Sequence, residues 1–324
     1  MSSQGSGVRR FSGLHGTTHF CLKPDGKTAF ILDRAHHTFA QIDLTTGKET
    51  LAEIEAPSQL KNPQIWRRLI FLKRAARLYL IALIFDEITK IVYLVSFAEK
   101  GSLNFAVVCV YELPNNDKFT ANWGVVQEDE KGRIFCVGSR KCPKRDNITI
   151  FDTVMVEIDD NGTITSLADN FLAKKQALTG KWSNPFVYSD AMHFLACEYR
   201  RRWDGDRINF EHMLNVPLNQ KVIRSTVVDL TDNSGCWPAG SSFWSFSPAI
   251  IGERAYFYVS QKHHHHSTGA LFYLDLKENN WKSWEFLTDD HVLDSYIEIA
   301  ASEDGRTLCL SGNCALESCV EKAH

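Results

Sequence analysis

Histidine and cysteine residues occur at two places where they could bind a metal ion. His263 to His266 are consecutive, and Cys309, Cys314, Cys319 and His324 follow one another at intervals of five. Three thiolates and an imidazole suit zinc, and a histidine run can hold a metal or gain charge below about pH 6.5. Physiological sites, however, draw ligands from rigid, separated positions, and the cysteine spacing is longer than in Cys-x₂-Cys sites. We therefore predict adventitious binding by the histidines, ordinary strand cysteines, and no metal or other cofactor.

Basic and aromatic residues gather in three polar stretches. They are Arg140, Lys141, Lys144 and Arg145; then Arg200, Arg201, Arg202, Trp203, Arg207 and Phe210; then Lys262, His263 and His264. Arginine beside tryptophan suits phosphate contact and stacking on a base. One such cluster in a chain of net charge −3 is weak evidence for nucleic acid. We predict that these residues bind an acidic protein or peptide.

The elements that must position these residues repeat along the chain. A strand, a tight turn and an apolar strand recur, and the turns fall near positions 26, 75, 132, 191, 252 and 305. Short strands rich in Val, Ile, Phe and Tyr that alternate with Gly and Asp turns are typical of all-β folds. A repeat of about 50 residues indicates a propeller. Asp43, Asp159, Asp229 and Asp275 end the third strand of four repeats, which predicts a structural hydrogen bond there.

We predict a single domain, 1–324, that forms an all-β propeller of six blades with four antiparallel strands each. Seven blades, or two β-sandwich domains, are the alternatives. The last repeat lacks a strand and the segment 7–13 is unassigned, so we expect the N- and C-terminal strands to pair and close the ring. The predicted blades are 14–56, 57–113, 119–170, 180–232, 243–288, and 293–324 with 7–13.

The segment LFYLDLKENNW, residues 271–281, resembles the second half of a Kelch repeat. In that family an aromatic strand leads to an Asp, and a Trp follows six residues later, as Asp275 and Trp281 do here. The paired glycines of the family are missing, since Gly138 and Gly312 stand singly. The resemblance implies a divergent Kelch-type propeller that serves as a protein-interaction platform.

The loops between second and third strands are expected to form one face of the propeller. We place them at 33–38, 85–90, 139–150, 199–224, 260–269 and 311–316, where they carry 13 Lys and Arg against 7 Asp and Glu. Such a basic face would steer acidic partners, and loops longer than about 12–15 residues are usually functional or disordered. We therefore predict a non-enzymatic binding module that uses this face.

The alternative function is a propeller hydrolase or lactonase with a metal in the central channel. Its carboxylates would come from the first strand of each blade, near which Glu128, Asp190 and Glu298 lie. The motifs G-x-S-x-G and H-E-x-x-H, a phosphate-binding loop and a dinucleotide fingerprint are all missing from the sequence, so we assign no catalytic residue.

The cellular location of the protein is predicted from its N-terminal segment and its composition. MSSQGSGVRR has no apolar stretch, so we expect no signal peptide. No apolar run reaches the roughly 18 residues of a membrane span. We therefore expect a cytoplasmic protein, with a nuclear location as the alternative, whose nine cysteines are reduced. We also expect it to be a monomer.

Overall fold

The computed structural model describes most of the chain, and every regular element in that part is a strand. The described residues are 9–33, 38–61, 64–101, 103–114, 122–129, 131–142, 145–167, 176–179, 181–182, 185–202, 205–209, 212–217, 226–229, 241–243, 248–263, 266–287, 298–302 and 307–320. Apolar, β-branched and aromatic runs separated by Gly and Asp turns favour this all-β outcome.

In chain order, the described strands form six groups, which we call blades one to six. Blade one contains β1 (Arg9–Leu22), β2 (Thr28–Asp33), β3 (Thr38–Asp43) and β4 (Glu49–Ile54). Blade two contains β5 (Gln64–Arg74), β6 (Arg77–Asp86), β7 (Ile91–Glu99) and β8 (Asn104–Glu112). Blade three contains β9 (Asn122–Glu128), β10 (Arg133–Cys142), β11 (Arg145–Ile158), β12 (Ile164–Ser166) and β13 (Gln176–Thr179).

Blades four to six complete the chain. Blade four contains β14 (Lys181–Trp182), β15 (Phe186–Tyr188), β16 (Ala191–Arg202), β17 (Gly205–Asn209), β18 (His212–Pro217) and β19 (Thr226–Asp229). Blade five contains β20 (Ser241–Phe243), β21 (Ala249–Ile251), β22 (Arg254–His263), β23 (His266–Asp275) and β24 (Asn280–Leu287). Blade six contains β25 (Glu298–Ala301) and β26 (Thr307–Val320), to which the first half of β1 is added.

The chain divides into two compact units. The first contains residues 1–50, 194–215 and 226–324, and the second contains 51–193 and 216–225. In the second unit, β5 to β8 form an antiparallel meander and β9 to β12 form another. The end of β4 lies parallel to β8, with Glu53 opposite Asn104 and Ile54 opposite Phe105.

The core of the second unit is built from the strands of blades two and three. Tyr79, Ile81 and Leu83 of β6 pack in one cluster with residues of β10 and β11. Six consecutive residues of β6, from Tyr79 to Ile84, are buried, because neighbouring layers cover both faces of the strand. Such a strand reads as a continuous apolar run rather than an alternating one.

The first unit contains the junction of the chain ends. The first half of β1 is antiparallel to β26, with Arg9 opposite Ser318 and Ser12 opposite Ala315. The second half of β1 pairs with β2, so one long strand belongs to two blades. The predicted closure by N- and C-terminal strands is therefore confirmed, and the fold is a β-propeller.

Five of the six predicted turns are present where the repeat placed them. Gly26, Gly132 and Gly252 have positive φ angles of 63°, 75° and 55°, and Ala75 and Asp190 have φ angles of 47° and 57°. The sixth, at position 305, lies outside the described residues. Local turn chemistry therefore predicted these five turns correctly.

Candidate functional site

Most of the basic stretches predicted as long loops are paired strands instead. The stretch 139–150 continues the hairpin of β10 and β11, with Arg140 opposite Ile150 and Lys141 opposite Thr149. The stretch 199–224 contains the end of β16 and all of β17 and β18, and the stretch 260–269 contains the end of β22 and the start of β23. The stretch 311–316 lies inside β26. These loop assignments were wrong, because ladder pairing satisfies the backbone N–H and C=O groups of segments that are polar in sequence.

The structure places the predicted binding residues on three extended hairpins. Arg140 and Lys141 lie on β10, Arg145 begins β11, Arg200, Arg201 and Arg202 end β16, Arg207 lies on β17, and Lys262 and His263 end β22. In the second hairpin Arg200 is opposite Arg207. Lys144, Trp203, Phe210 and His264 lie outside the described residues. That any of these residues binds a partner stays a prediction.

The cysteines considered for zinc lie along a single strand. Cys309, Cys314 and Cys319 are all in β26, and His324 lies outside the described residues. Residues five apart in a strand are separated by about 16 Å. Cysteine ligands bind zinc at about 2.3 Å, so three residues so far apart on one strand cannot share one ion.

Two of the three carboxylates considered for a channel site are held in ion pairs at the turns between first and second strands. Arg74 Nη1 is 2.5 Å from Glu128 Oε1, and Arg74 also donates to the carbonyls of Gly132 and Ile158. Asp190 accepts from Lys131 Nζ and from Arg133 Nη2. The side-chain hydrogen bonds from Lys131 and Arg133 lower the pKa of Asp190. Glu128 and Asp190 therefore join neighbouring blades.

The aspartates that end third strands have the structural role predicted for them. Asp43 Oδ1 accepts the N–H groups of Thr45 and Thr46, each at 2.8 Å. Asp159 and Asp275 accept from residues of the turns that follow them in the same way. The prediction is confirmed for these three residues. The side chain of Asp229 is not among the described parts.

The first strands of blades two and three share an irregularity near their starts. We call the end at which a first strand begins the upper end of its blade. In β5, Arg67 is an extra residue between the pairs Trp66–Ile84 and Arg68–Leu83. In β9, Gly124 is an extra residue between the pairs Trp123–Gly138 and Val125–Val137. Both are β-bulges within three residues of the strand start, and bulges re-aim side chains beside active sites.

A side chain joins the two bulges. Arg68 Nε donates to the carbonyl oxygen of Gly124 at 3.2 Å. In a propeller the first strand of each blade lies nearest the central axis, so this bond links two blades at the upper end of the axial wall. Sequence reasoning missed the bulges, because nothing in QIWRRLI or NWGVV except Gly124 departs from a strand pattern.

The described residues supply no other cluster suited to a metal. Within them, no group of three or more His, Cys, Asp and Glu residues could hold an ion. In the same part of the chain, no helix is long and apolar enough to cross a membrane.

No protein-family model and no curated protein sequence matches the chain. Solved structures do resemble it over 97% of its length. One is a protein of unknown function from Bacteroides thetaiotaomicron, with a TM-score of 0.54, 12% identity and 75% of that chain covered. Two are enzymes with TM-scores of 0.50: a luciferin-regenerating enzyme, 9% identical with 96% of that chain covered, and a gluconolactonase from Xanthomonas campestris, 8% identical with 90% covered.

These comparisons establish the propeller fold and correct the predicted function. The expectation of a non-enzymatic binding module was wrong, because the named solved structures that share the fold over 97% of the chain include two enzymes. Its premise of long basic loops was wrong as well, since those stretches are mostly paired hairpins. The Kelch type is not supported by any of the matches.

Proposed function

We propose that the protein is a hydrolase that opens a lactone or a similar cyclic ester at the upper end of blades two and three. The observation that carries the proposal is the pair of linked bulges at Arg67 and Gly124. A propeller of this length supports that chemistry in the gluconolactonase named above, which lends the proposal fold-level support.

The chemistry requires stabilisation of one negative charge. Water adds to the carbonyl carbon, the carbonyl oxygen becomes an oxyanion, and the ring C–O bond then breaks as the leaving oxygen takes up a proton. Donors fixed in advance around the oxyanion are usually the largest contribution to such catalysis.

A metal-dependent step is not part of the proposal. The described residues contain no suitable donor set, and Glu128 and Asp190 are engaged with Arg74, Lys131 and Arg133. Glu298, the first residue of β25, belongs to the other unit. The Kelch resemblance of blade five also stays a prediction, alongside this proposal.

The first test is hydrolysis of a panel of lactones by the purified full chain. Hydrolysis is measured by titrating the acid that is released at constant pH. Glucono-1,5-lactone and four-, five- and six-membered lactones, with and without a carboxylate or phosphate group, would be tested with the folded and with the heat-denatured protein. We expect turnover of at least one lactone. If the folded protein hydrolyses none of them faster than the denatured control, the proposed function is wrong.

The second test concerns the link between the bulges. Arg68→Met removes the bond to Gly124 and keeps an aliphatic side chain of similar length. We expect kcat to fall about tenfold or more while KM changes little, because small misplacements in a reaction centre are costly. Arg77→Met is the matched control, since Arg77 is exposed at the lower end of the same blade. Equal kcat values for the two variants would contradict a positioning role for Arg68.

A further inference from the structure

A positively charged aromatic cluster lies at the upper end of blade two, wholly within the second unit. We call it the Phe85 cluster, and it consists of Ile65, Arg67, Phe85, Ile88 and Lys90. The guanidinium carbon of Arg67 is 4.7 Å from the centroid of the Phe85 ring, and Lys90 Nζ is 5.8 Å from it. Two cationic groups therefore converge on one aromatic ring.

The backbone brings each cation to this position by an unusual local conformation. Arg67 is the bulged residue of β5, and bulges re-aim side chains. Lys90 has a φ angle of 61° in the turn after β6, and its N–H donates to the carbonyl of Asp86 at 2.9 Å. Left-handed backbone is uncommon for a residue other than glycine, and it concentrates at functional sites.

Asp86 anchors this turn from inside the protein. Its side chain is fully buried and accepts the N–H groups of Lys61, Ile88 and Thr89. Burial acts to raise the pKa of Asp86, but the backbone N–H bonds outweigh it and the pKa is lowered. The carboxylate therefore stays charged and fixes the turn, and it does so through backbone groups rather than through the two cations.

Apolar surface flanks the cations. Ile65 is 37% exposed and Ile88 is 56% exposed, and both are among the four large hydrophobic residues found exposed in the described part of the chain. Ile65 lies directly opposite Phe85 in the ladder. Apolar neighbours exclude water from a bound group, which strengthens a charge interaction there.

We propose that the Phe85 cluster binds the anionic group, a carboxylate or a phosphate, of the substrate. This inference rests on the proposed function and narrows it to lactones or esters that carry a negative charge. An anion bound at this ring would interact with both positive charges, and the two are held near the ring by the backbone of β5 and of the turn after β6. Arginine offers a planar fork that matches carboxylate and phosphate oxygens, while lysine adds a point charge.

Binding by the full chain would be measured by calorimetry with three probes. D-gluconate carries a carboxylate, glucose 6-phosphate carries a phosphate, and glucose is neutral. We expect one anionic probe to bind more tightly than glucose, and the preferred anion identifies the group. Arg67→Met and Lys90→Gln should each weaken binding about fivefold, and both together should remove the preference over glucose.

Two further variants act as controls on the charge argument. Lys100→Met removes an exposed lysine at the other end of β7, and it should leave binding unchanged. Glu87→Gln removes a carboxylate from the turn that carries Lys90, and it should tighten the binding of the anion. Circular dichroism would verify that each variant is folded.

The outcomes separate this inference from the proposed function. Anion binding that depends on Arg67 and Lys90 supports the subsite even if no lactone is hydrolysed, in which case only the hydrolase assignment fails. If neither anion binds more tightly than glucose, or if the double variant binds as the wild type does, the subsite assignment is wrong. Hydrolysis of an anionic lactone with a KM unaffected by Arg67→Met would also overturn it.

Discussion

Gly162 is required by its backbone conformation and by a side chain beside it. Its φ angle is 83°, and a Cβ at this residue would lie 2.8 Å from Cδ1 of Tyr79. The Tyr79 ring cannot yield, because it is fully buried and its hydroxyl donates to the carbonyl of Asp160 at 2.7 Å. Blade three therefore packs on blade two through a contact that only glycine allows.

We expect Gly162→Ala to lower the free energy of unfolding by about 3 kcal/mol or more. Left-handed backbone costs a non-glycine residue about 1–2 kcal/mol, and the clash with Tyr79 adds to it. Urea unfolding would measure the loss. Gly252→Ala is the control, because its φ angle is 55° and a Cβ there meets no atom within 4 Å. Equal losses for the two variants would show that the Tyr79 contact costs nothing.

At the scale of elements, the turns between first and second strands hold neighbouring blades together. The turn of blade two reaches blade three through Arg74, and the turn of blade three reaches blade four through Lys131 and Arg133. Asp190, in the turn of blade four, is the acceptor of the second link. The same kind of element thus makes the same kind of contact twice, which is the behaviour expected of repeats.

Asp190→Asn tests this link through its pH dependence. The pKa of Asp190 is lower in the folded protein than in the unfolded chain, where an Asp has a pKa of about 3.9. The Asp190 carboxylate therefore stabilises the folded protein fully above about pH 3.9, and this stabilisation is lost as the pH falls through the folded-state pKa. We expect the variant to be about 1 kcal/mol less stable than the wild type at pH 7 and at pH 5, and the difference to shrink below about pH 4.

Urea midpoints at these pH values measure the effect. Asp160→Asn serves as the comparison, since Asp160 is exposed in a turn of blade three. A difference between wild type and Asp190→Asn that does not change down to pH 3 would argue that the carboxylate charge is not what the link uses.

At the scale of the whole molecule, the propeller is closed by the pairing of its two chain ends. Arg9 to Ser12 of β1 lie opposite Ala315 to Ser318 of β26. Removing the strand that covers β26 would expose a row of backbone donors and acceptors. An exposed edge of this kind is a template for pairing with another chain.

We therefore expect deletion of residues 1–12 to destabilise the protein by about 2–4 kcal/mol, the sum of the ladder hydrogen bonds that are lost. It should also cause association that increases with protein concentration, as seen by light scattering after size-exclusion chromatography. Deletion of residues 1–8 is the control, because it leaves every described pair of β1 in place. If both deletions behave as the wild type does, the closing strand does not stabilise the ring.

Much of the architecture could be predicted because its signals are local. Gly26, Gly132 and Gly252 mark turns through their own backbone freedom, and Asp43, Asp159 and Asp275 cap turns within four residues of themselves. A period of about 50 residues and an unpaired strand at each end were enough to predict a closed propeller.

The hairpin extensions could not be predicted in this way. The stretches around Arg140, Arg201 and Lys262 are polar, and polar composition alone predicts a loop. Whether such a segment pairs depends on the register that its partner strand offers, as Lys141 opposite Thr149 shows. Register is a relation between two segments, and neither segment contains it alone.

The sequence by itself therefore determined the all-β class, the turns, the repeat and the joining of the ends, since each follows from residues close together in the chain or from its two termini. Only the tertiary structure decided which charged side chains form ion pairs between blades and where the first strands bulge. It alone decided that Arg67 and Lys90 both lie near the ring of Phe85. Those features depend on how separate strands and turns pack against one another, and such contacts leave no pattern in a single sequence.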